Sequence, residues 1–226
     1  MARFITKTNL ANKALSLLGQ SSIINDIDSS TSPQATTIRL HLEASFQTAL
    51  LTYDWTFATA FSDKLKVVDD CPKSGFKYAY SWPMDALRIR DVNLERNYIH
   101  NMDRYNEDII PFRNVWVDGL PQIHTDLAEA VCEYTDDISI EGAFPLSFSR
   151  MASATLALDI APSIITNNFA KVQARLMSNI NLWKNQAIAE DKLNESPRIR
   201  PISPFIKARG LERVPRPDVE DYRGSF

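Results

Sequence analysis

The sequence is short of the residues from which most active sites are built: two cysteines, six glycines and three histidines in 226 residues. Cys71 and Cys132 share no CxxC or metal-ligand spacing, which fits a reducing compartment better than a disulfide scaffold. The glycines form no phosphate-cradling loop, so nucleotide binding through that device is not expected. His41, His100 and His124 are scattered, without His-x-His or HExxH spacing, and give metal ligation no support. No GxSxG elbow occurs, and neither cysteine sits in a nucleophile context. The expectation is a protein with no cofactor and no catalytic residue.

A basic surplus is also lacking. Lys and Arg number 25 against 28 Asp and Glu, a net charge of −3 and a pI near 5.7. Bulk charge therefore offers phosphate backbones and anionic lipid little attraction. No apolar run approaches the roughly 20 residues of a membrane span. The N-terminus lacks the apolar stretch of a signal peptide. A protein made and used in the cytosol, with no membrane partner, is expected.

What is present is an ordinary globular composition, 44% hydrophobic and 23% charged, enough for one large domain or two small ones. A first helix is predicted from about Thr8 to Leu18, capped by Thr8 or Asn9 and stopped by Gly19. Ser32 before Pro33 marks a second helix. Its stripe of Ile38, Leu42, Phe46, Ala49, Leu50, Tyr53 and Phe57 steps by three and four. From about Phe61 the period shortens to two. Phe76, Tyr78, Tyr80 and Trp82 alternate with small or polar residues, as do Leu87 and Ile89, with Pro83-Met84-Asp85 as a turn. Ile109 to Val117, interrupted by Pro111, reads as an edge or bulged strand. Helical spacing returns at Pro145 and runs to Pro162, which should stop or kink it. A last helix carries Phe169, Val172, Leu176, Ile180, Trp183 and Ala187 behind an Asn167-Asn168 cap. The fold class predicted is α+β: a helical bundle from both chain ends (8–58 and 145–194), an inserted small antiparallel sheet (61–138) and an extended C-terminal arm (196–226). Residues 1–195 form the single domain in this reading.

The arm holds five of the twelve prolines, with seven Lys/Arg against four Asp/Glu. Such proline density forbids a regular helix. Yet Phe205, Ile206, Tyr222 and Phe226 are anchors a purely solvated tail does not need. Together with Arg198, Arg200, Arg209 and Arg213 they form a candidate partner-binding set, rings and aliphatics entering pockets and guanidinium groups meeting carboxylates. A disordered end is the alternative.

Two constellations invite other chemistry. Asp69-Asp70 and Asp136-Asp137, with Glu133 and Glu141, are carboxylate sets of the kind glycoside hydrolysis needs. Adjacent acids more often decorate turns, because neighbours on a strand point to opposite faces. The rings of Phe76, Tyr78, Tyr80 and Trp82, flanked by Lys73, Lys77, Arg88 and Arg90, have the makings of a stacking platform for single-stranded nucleic acid. Four rings at period two equally bury one face of a sheet, and core is the favoured reading.

Several short segments resemble, in order and spacing, the podovirus head-to-tail adaptor family, also called tail tubular protein A. They are Ala14-Leu15-Ser16-Leu17-Leu18-Gly19 followed by Ile23-Ile24, the Ala35 to Leu51 helix, and Trp55-Thr56-Phe57-Ala58. Tyr80-Ser81-Trp82-Pro83-Met84-Asp85-Ala86-Leu87-Arg88 and Phe144-Pro145-Leu146-Ser147-Phe148 with Ala152, Ala154 and Ala157 follow. The likeness spans about Leu10 to Asn194; the proline-rich extension lies beyond it. The resemblance implies a structural part and not an enzyme: a ring of twelve copies at the virion neck, beneath the portal protein and above the tail nozzle protein. The part is made in the host cytoplasm, and genomic DNA passes through it without sequence-specific binding. The arm is then the candidate for gripping the portal and the sheet for meeting the nozzle. A virion-associated cell-wall glycan hydrolase, or a nucleic-acid-binding module, is the alternative.

Overall fold

The computed structural model describes residues 2–21, 23–70, 72–94, 110–165 and 168–193. Among these it is mixed α+β, with four α-helices and antiparallel sheets. All of these elements fall within one compact unit, Met1–Glu195.

A strand, β1 (Ala2–Ile5), leads into helix α1 (Lys7–Leu17). The cap is Thr6, earlier than Thr8 or Asn9, and its side chain accepts from the Asn9 amide at 3.2 Å. Thr8 is occupied elsewhere, accepting from the Ile27 amide. Gly19 closes the helix as its position suggests. With φ +76° it lets its own amide bond the Ser16 carbonyl and the Gln20 amide bond the Leu15 carbonyl, both at 3.0 Å, the paired bonds of a Schellman stop.

Helix α2 (Pro33–Leu51) starts on the Ser32 cap with Pro33 in the first turn. Its apolar stripe buries Ile38, Leu42, Phe46, Ala49 and Leu50, but the helix ends before Tyr53 and Phe57. The chain instead turns through a single 3₁₀ turn, Thr56–Ala58. Trp55 precedes that turn, fully buried, and donates its ring N–H to the Ala49 carbonyl at 3.2 Å. An indole can enter a core this way because its one polar hydrogen finds a carbonyl at the helix end, here one that Thr52 also bonds through its amide and hydroxyl.

The β region forms two sheets, plus a third outside it. Strands β2 (Thr59–Phe61), β5 (Ala86–Leu94) and β8 (Ala130–Asp136) pair in the order β2-β8-β5. Strands β3 (Val67–Asp70), β4 (Tyr78–Ser81), β6 (Phe112–Val117) and β7 (Leu120–Thr125) pair in the order β3-β4-β7-β6. All neighbours are antiparallel. Between the sheets lies an apolar cluster of Tyr80, Ile89, Val92, Ile123, Ala130 and Cys132, with Tyr78, Trp82 and Phe112 packed against it. β6 occupies an edge, where the Pro111 break places it. The third sheet pairs β1 with β9 (Gly142–Pro145) and ties the N-terminus to the start of the next helix. Strands this short carry too few residues for an alternating pattern to be read from sequence.

Helix α3 (Leu146–Ile164) follows directly, and helix α4 (Phe169–Lys192) after it. Pro162 lies inside α3, which ends two residues further on. α3 packs on α1, α2 and α4. It is apolar nearly all round, as a helix enclosed by others must be, and Phe148, Met151, Ala152, Leu156, Ala157 and Ile160 are fully buried. Two of its buried hydroxyls are satisfied within the helix: Ser153 donates to the Ser149 carbonyl at 2.7 Å and Thr155 to that of Met151 at 3.1 Å. Asn168 starts α4 with φ +58°, an αL conformation asparagine tolerates, and its side chain makes no capping bond.

Replacing Trp55 with Ala should cost about 3–5 kcal/mol. Met84→Ala, at a fully exposed turn position, should change stability by under about 0.5 kcal/mol. Urea unfolding midpoints of the two variants check both figures, and equal losses would remove Trp55 from the core. At Gly19, where an added methyl meets no atom within 4 Å, Ala should still cost about 1–2 kcal/mol through its αL backbone alone.

Candidate interaction surfaces

Where α2 gives way to the sheets, charge is gathered around one carboxylate. Asp54 pairs with Arg88 and lies 3.3 Å from Arg90 Nε, both arginines coming from β5. The Arg90 side chain is only 7% exposed and donates to Thr135 Oγ1 at 2.9 Å, to Thr59 Oγ1 and to the Trp55 carbonyl at 3.2 Å. Burial lowers its pKa from the ordinary arginine value, with Asp54 opposing. A guanidinium held by four oxygens in this fork has no lysine equivalent. On the other side of the same turn, buried Asp191 of α4 accepts from the Thr56 amide at 3.0 Å and its hydroxyl at 2.6 Å. Glu190 accepts from the Ser147 hydroxyl at 2.6 Å. These contacts hold both sheet and last helix to the Trp55 turn, and each of these side chains has a structural partner.

A second polar group sits on the four-stranded sheet. His124 of β7 is 2% exposed; its Nδ1 lies 2.6 Å from Ser74 Oγ and its Nε2 3.2 Å from Gln122 Oε1. Burial lowers its pKa, with the charge of Asp69 opposing. A serine and a histidine in contact resemble half of a hydrolytic triad, but the other nitrogen of the ring meets the Gln122 amide, and Asp69 acts on the ring by its charge and not in the orienting position of a triad carboxylate. A histidine satisfied on both nitrogens and held neutral is a sheet-face contact.

The candidate carboxylates are dispersed. Asp69 and Asp70 belong to β3 and not to a turn. Asp136 ends β8, its pKa raised first by burial and then by Asp85. Asp137 follows the strand and accepts from Gln47 of α2 at 2.9 Å. Glu133 lies mid-strand, in register with Phe61 and Asp91.

Of the candidate stacking rings, Tyr78, Tyr80 and Trp82 pack on the cluster between the sheets. Tyr80 is fully buried and donates its hydroxyl to the Leu127 carbonyl at 2.6 Å, and Trp82 donates to the Ala86 carbonyl at 2.8 Å. Arg88 and Arg90 turn to the Trp55 junction, so rings and these bases do not share a face. Cys132 is a free thiol whose pKa burial pushes up; Cys71 lies outside the described residues. So do His100 and the whole candidate arm set: Arg198, Arg200, Phe205, Ile206, Arg209, Arg213, Tyr222 and Phe226.

Among the described residues no cluster of acids, histidines or cysteines is arranged to hold a metal ion, and no helix is long and apolar enough to cross a membrane. Large apolar side chains are exposed on several separate elements: Phe4 on β1, Leu40 on α2, Met177 and Leu182 on α4, Trp116 and Leu120 on the β6–β7 hairpin. A cleft of about 200 Å³ opens beside Phe4, lined also by Leu10, Lys13, Leu146 and Ser153. A scan against protein-family models finds no match, and a search of curated proteins finds no relative.

Because burial in the folded state lowers the His124 pKa below the ordinary histidine value, the unfolded chain takes up that proton first as pH falls. Its stabilising contribution is therefore present above about 6.5 and is lost as pH drops through the window below it. His124→Asn, which keeps an acceptor or donor near Ser74, should flatten that part of the stability profile relative to wild type. Unfolding curves from pH 7.5 to 4.5 are the measurement, and parallel profiles for the two proteins would refute the assignment.

Proposed function

We propose that this chain is a structural head-to-tail connector of a short-tailed phage, joining portal to tail nozzle as a ring of about twelve copies through which DNA passes. The observation that carries the reading is convergence. Ala14, Leu15 and Leu18, then Trp55 and Phe57, then Phe144, Phe148, Ala152 and Ala157 come from three of the segments on which the resemblance rests. They belong to or pack on a single apolar cluster. Arg88, from a further segment, pairs with Asp54 beside that cluster.

In this reading the four helices act as the ring-forming bundle, their exposed Leu40, Met177 and Leu182 serving neighbouring copies. The sheets face the nozzle and the arm from 196 to 226 grips the portal. Mild net acidity suits a channel part that must let DNA slide. Twelve arms acting together would hold far more tightly than one.

Deleting residues 197–226 should leave a folded protein with an unchanged unfolding midpoint that no longer joins portal rings. Negative-stain images of each version mixed with the portal protein of the same virus read this out. Normal docking by the truncated chain would remove the arm from the mechanism, and absence of the full chain from the necks of purified virions would remove the connector reading itself.

A further inference from the structure

The four-stranded sheet ends in two strands that, among the described residues, have a partner on one side only: β3 and β6. Unpaired N–H and C=O groups on such an edge are a template for another strand, and proteins guard them with charges and bulges. Here the guards are of opposite sign. β3 offers Val67 and Val68, 43% and 53% exposed, followed by Asp69 and Asp70. β6 carries exposed Arg113, no acid, and Trp116, 72% exposed.

The register connects these charges. Asp69 lies opposite Ala79, Ala79 opposite His124, and His124 opposite Arg113. Asp69 and Arg113 are thus the two ends of one row across the sheet, on one face, about three strand spacings or roughly 14 Å apart. The bulge between Val67 and Asp69 is what brings Asp69 into that row.

We propose that the β6 edge of one copy pairs antiparallel with the β3 edge of the next, continuing the row so that Arg113 meets the neighbour's Asp69. The directions agree. Three successive antiparallel pairings leave β3 and β6 antiparallel to each other, so a second copy added in the same orientation presents the edge the right way round. Like edges are disfavoured: β3 against a second β3 gathers four aspartates on one short ladder, and β6 against β6 gives Arg113 no facing carboxylate. The contact is therefore heterologous, the kind that builds rings or chains and not two-fold dimers. It deepens the connector reading, on which the closed ring rests, while the pairing itself rests on the sheet.

Sedimentation velocity and negative stain of the full chain test it. Wild type should self-associate as concentration rises. Asp69→Lys and Arg113→Glu should each weaken association by about tenfold or more, and the double variant, or an equimolar mixture of the two singles, should restore it. Both positions are exposed, and unchanged circular dichroism and unfolding midpoints verify folding; Asp69→Asn and Arg113→Gln replace any variant that fails this check. The pairing is overturned if wild type stays monomeric throughout, if the single reversals associate as tightly as wild type, or if the swap does not restore association. Closed rings that survive the single reversals would sink the edge contact and keep the ring. Open chains that obey the charge swap would keep the contact and sink the ring.

Discussion

The burial of Trp55 at the exit of α2 is the constraint on which the remaining architecture hangs. Its ring packs edge-on to Tyr53 and Phe148 and stacks on Phe57, with centroids 5.0 to 5.7 Å apart. Phe46, Phe144 and Phe148 extend the same aromatic group from α2 into β9 and α3. Because the indole N–H closes on Ala49, the helix must stop where it does, and the chain must turn. The turn then exposes the Trp55 carbonyl to Arg90 and the Thr56 amide to Asp191. One buried side chain in this way sets the entry of the sheets and the docking of the last helix. Removing it would leave a cavity and also strand a buried guanidinium beside a displaced carbonyl, a larger loss than either change alone.

Helices were legible in the sequence where their apolar stripe was long and their ends carried chemistry. Ser32-Pro33 and Gly19 are such ends, and both act as their residue types require. Thr6 was less visible, because Thr8 and Asn9 are equally good caps in isolation and only the contact of Thr8 with Ile27 decides between them. Tyr53 and Phe57 continue the spacing of α2 although the helix has ended. They still reach the same core, since a tight turn returns them to the face the helix would have given them. Periodicity reports which side of the core a residue faces more faithfully than the backbone that carries it there.

The strands divided differently. Tyr78, Tyr80 and Trp82 alternate and were readable as a buried face. β7 was not, because Gln122 and His124 occupy alternate positions that look solvent-facing, while Ser74 lies against the ring of His124. The signal that marks β7 is the turn before it. Asp118 and Gly119, both with positive φ, form the two-residue connection that matches the twist of a hairpin. The polar contacts that join the units were beyond sequence reach. Arg90 to Trp55 and Asp191 to Thr56 link residues far apart in the chain, and neither pair has a spacing that announces it.

In the edge pairing we propose, a sheet with a sign at each end would fix the direction of self-association but not the number of copies. Every strand added to a sheet rotates it by roughly 20–25°, so a stack built by edge pairing alone would wind away as a filament. Closure demands a second contact that removes the rise per copy and sets the rotation to a fraction of a full turn. The exposed Leu40, Met177 and Leu182 lie on α2 and α4, elements separate from both open edges. In the proposed ring, charge on the sheet edges would select which surfaces meet and in what orientation, and helix packing would determine the angle at which they are held. Charge pairs tolerate a range of angles, whereas ridges of side chains seated in grooves do not. In the proposed ring the copy number would therefore be set by the helices, even where the sheet makes the more directional bond.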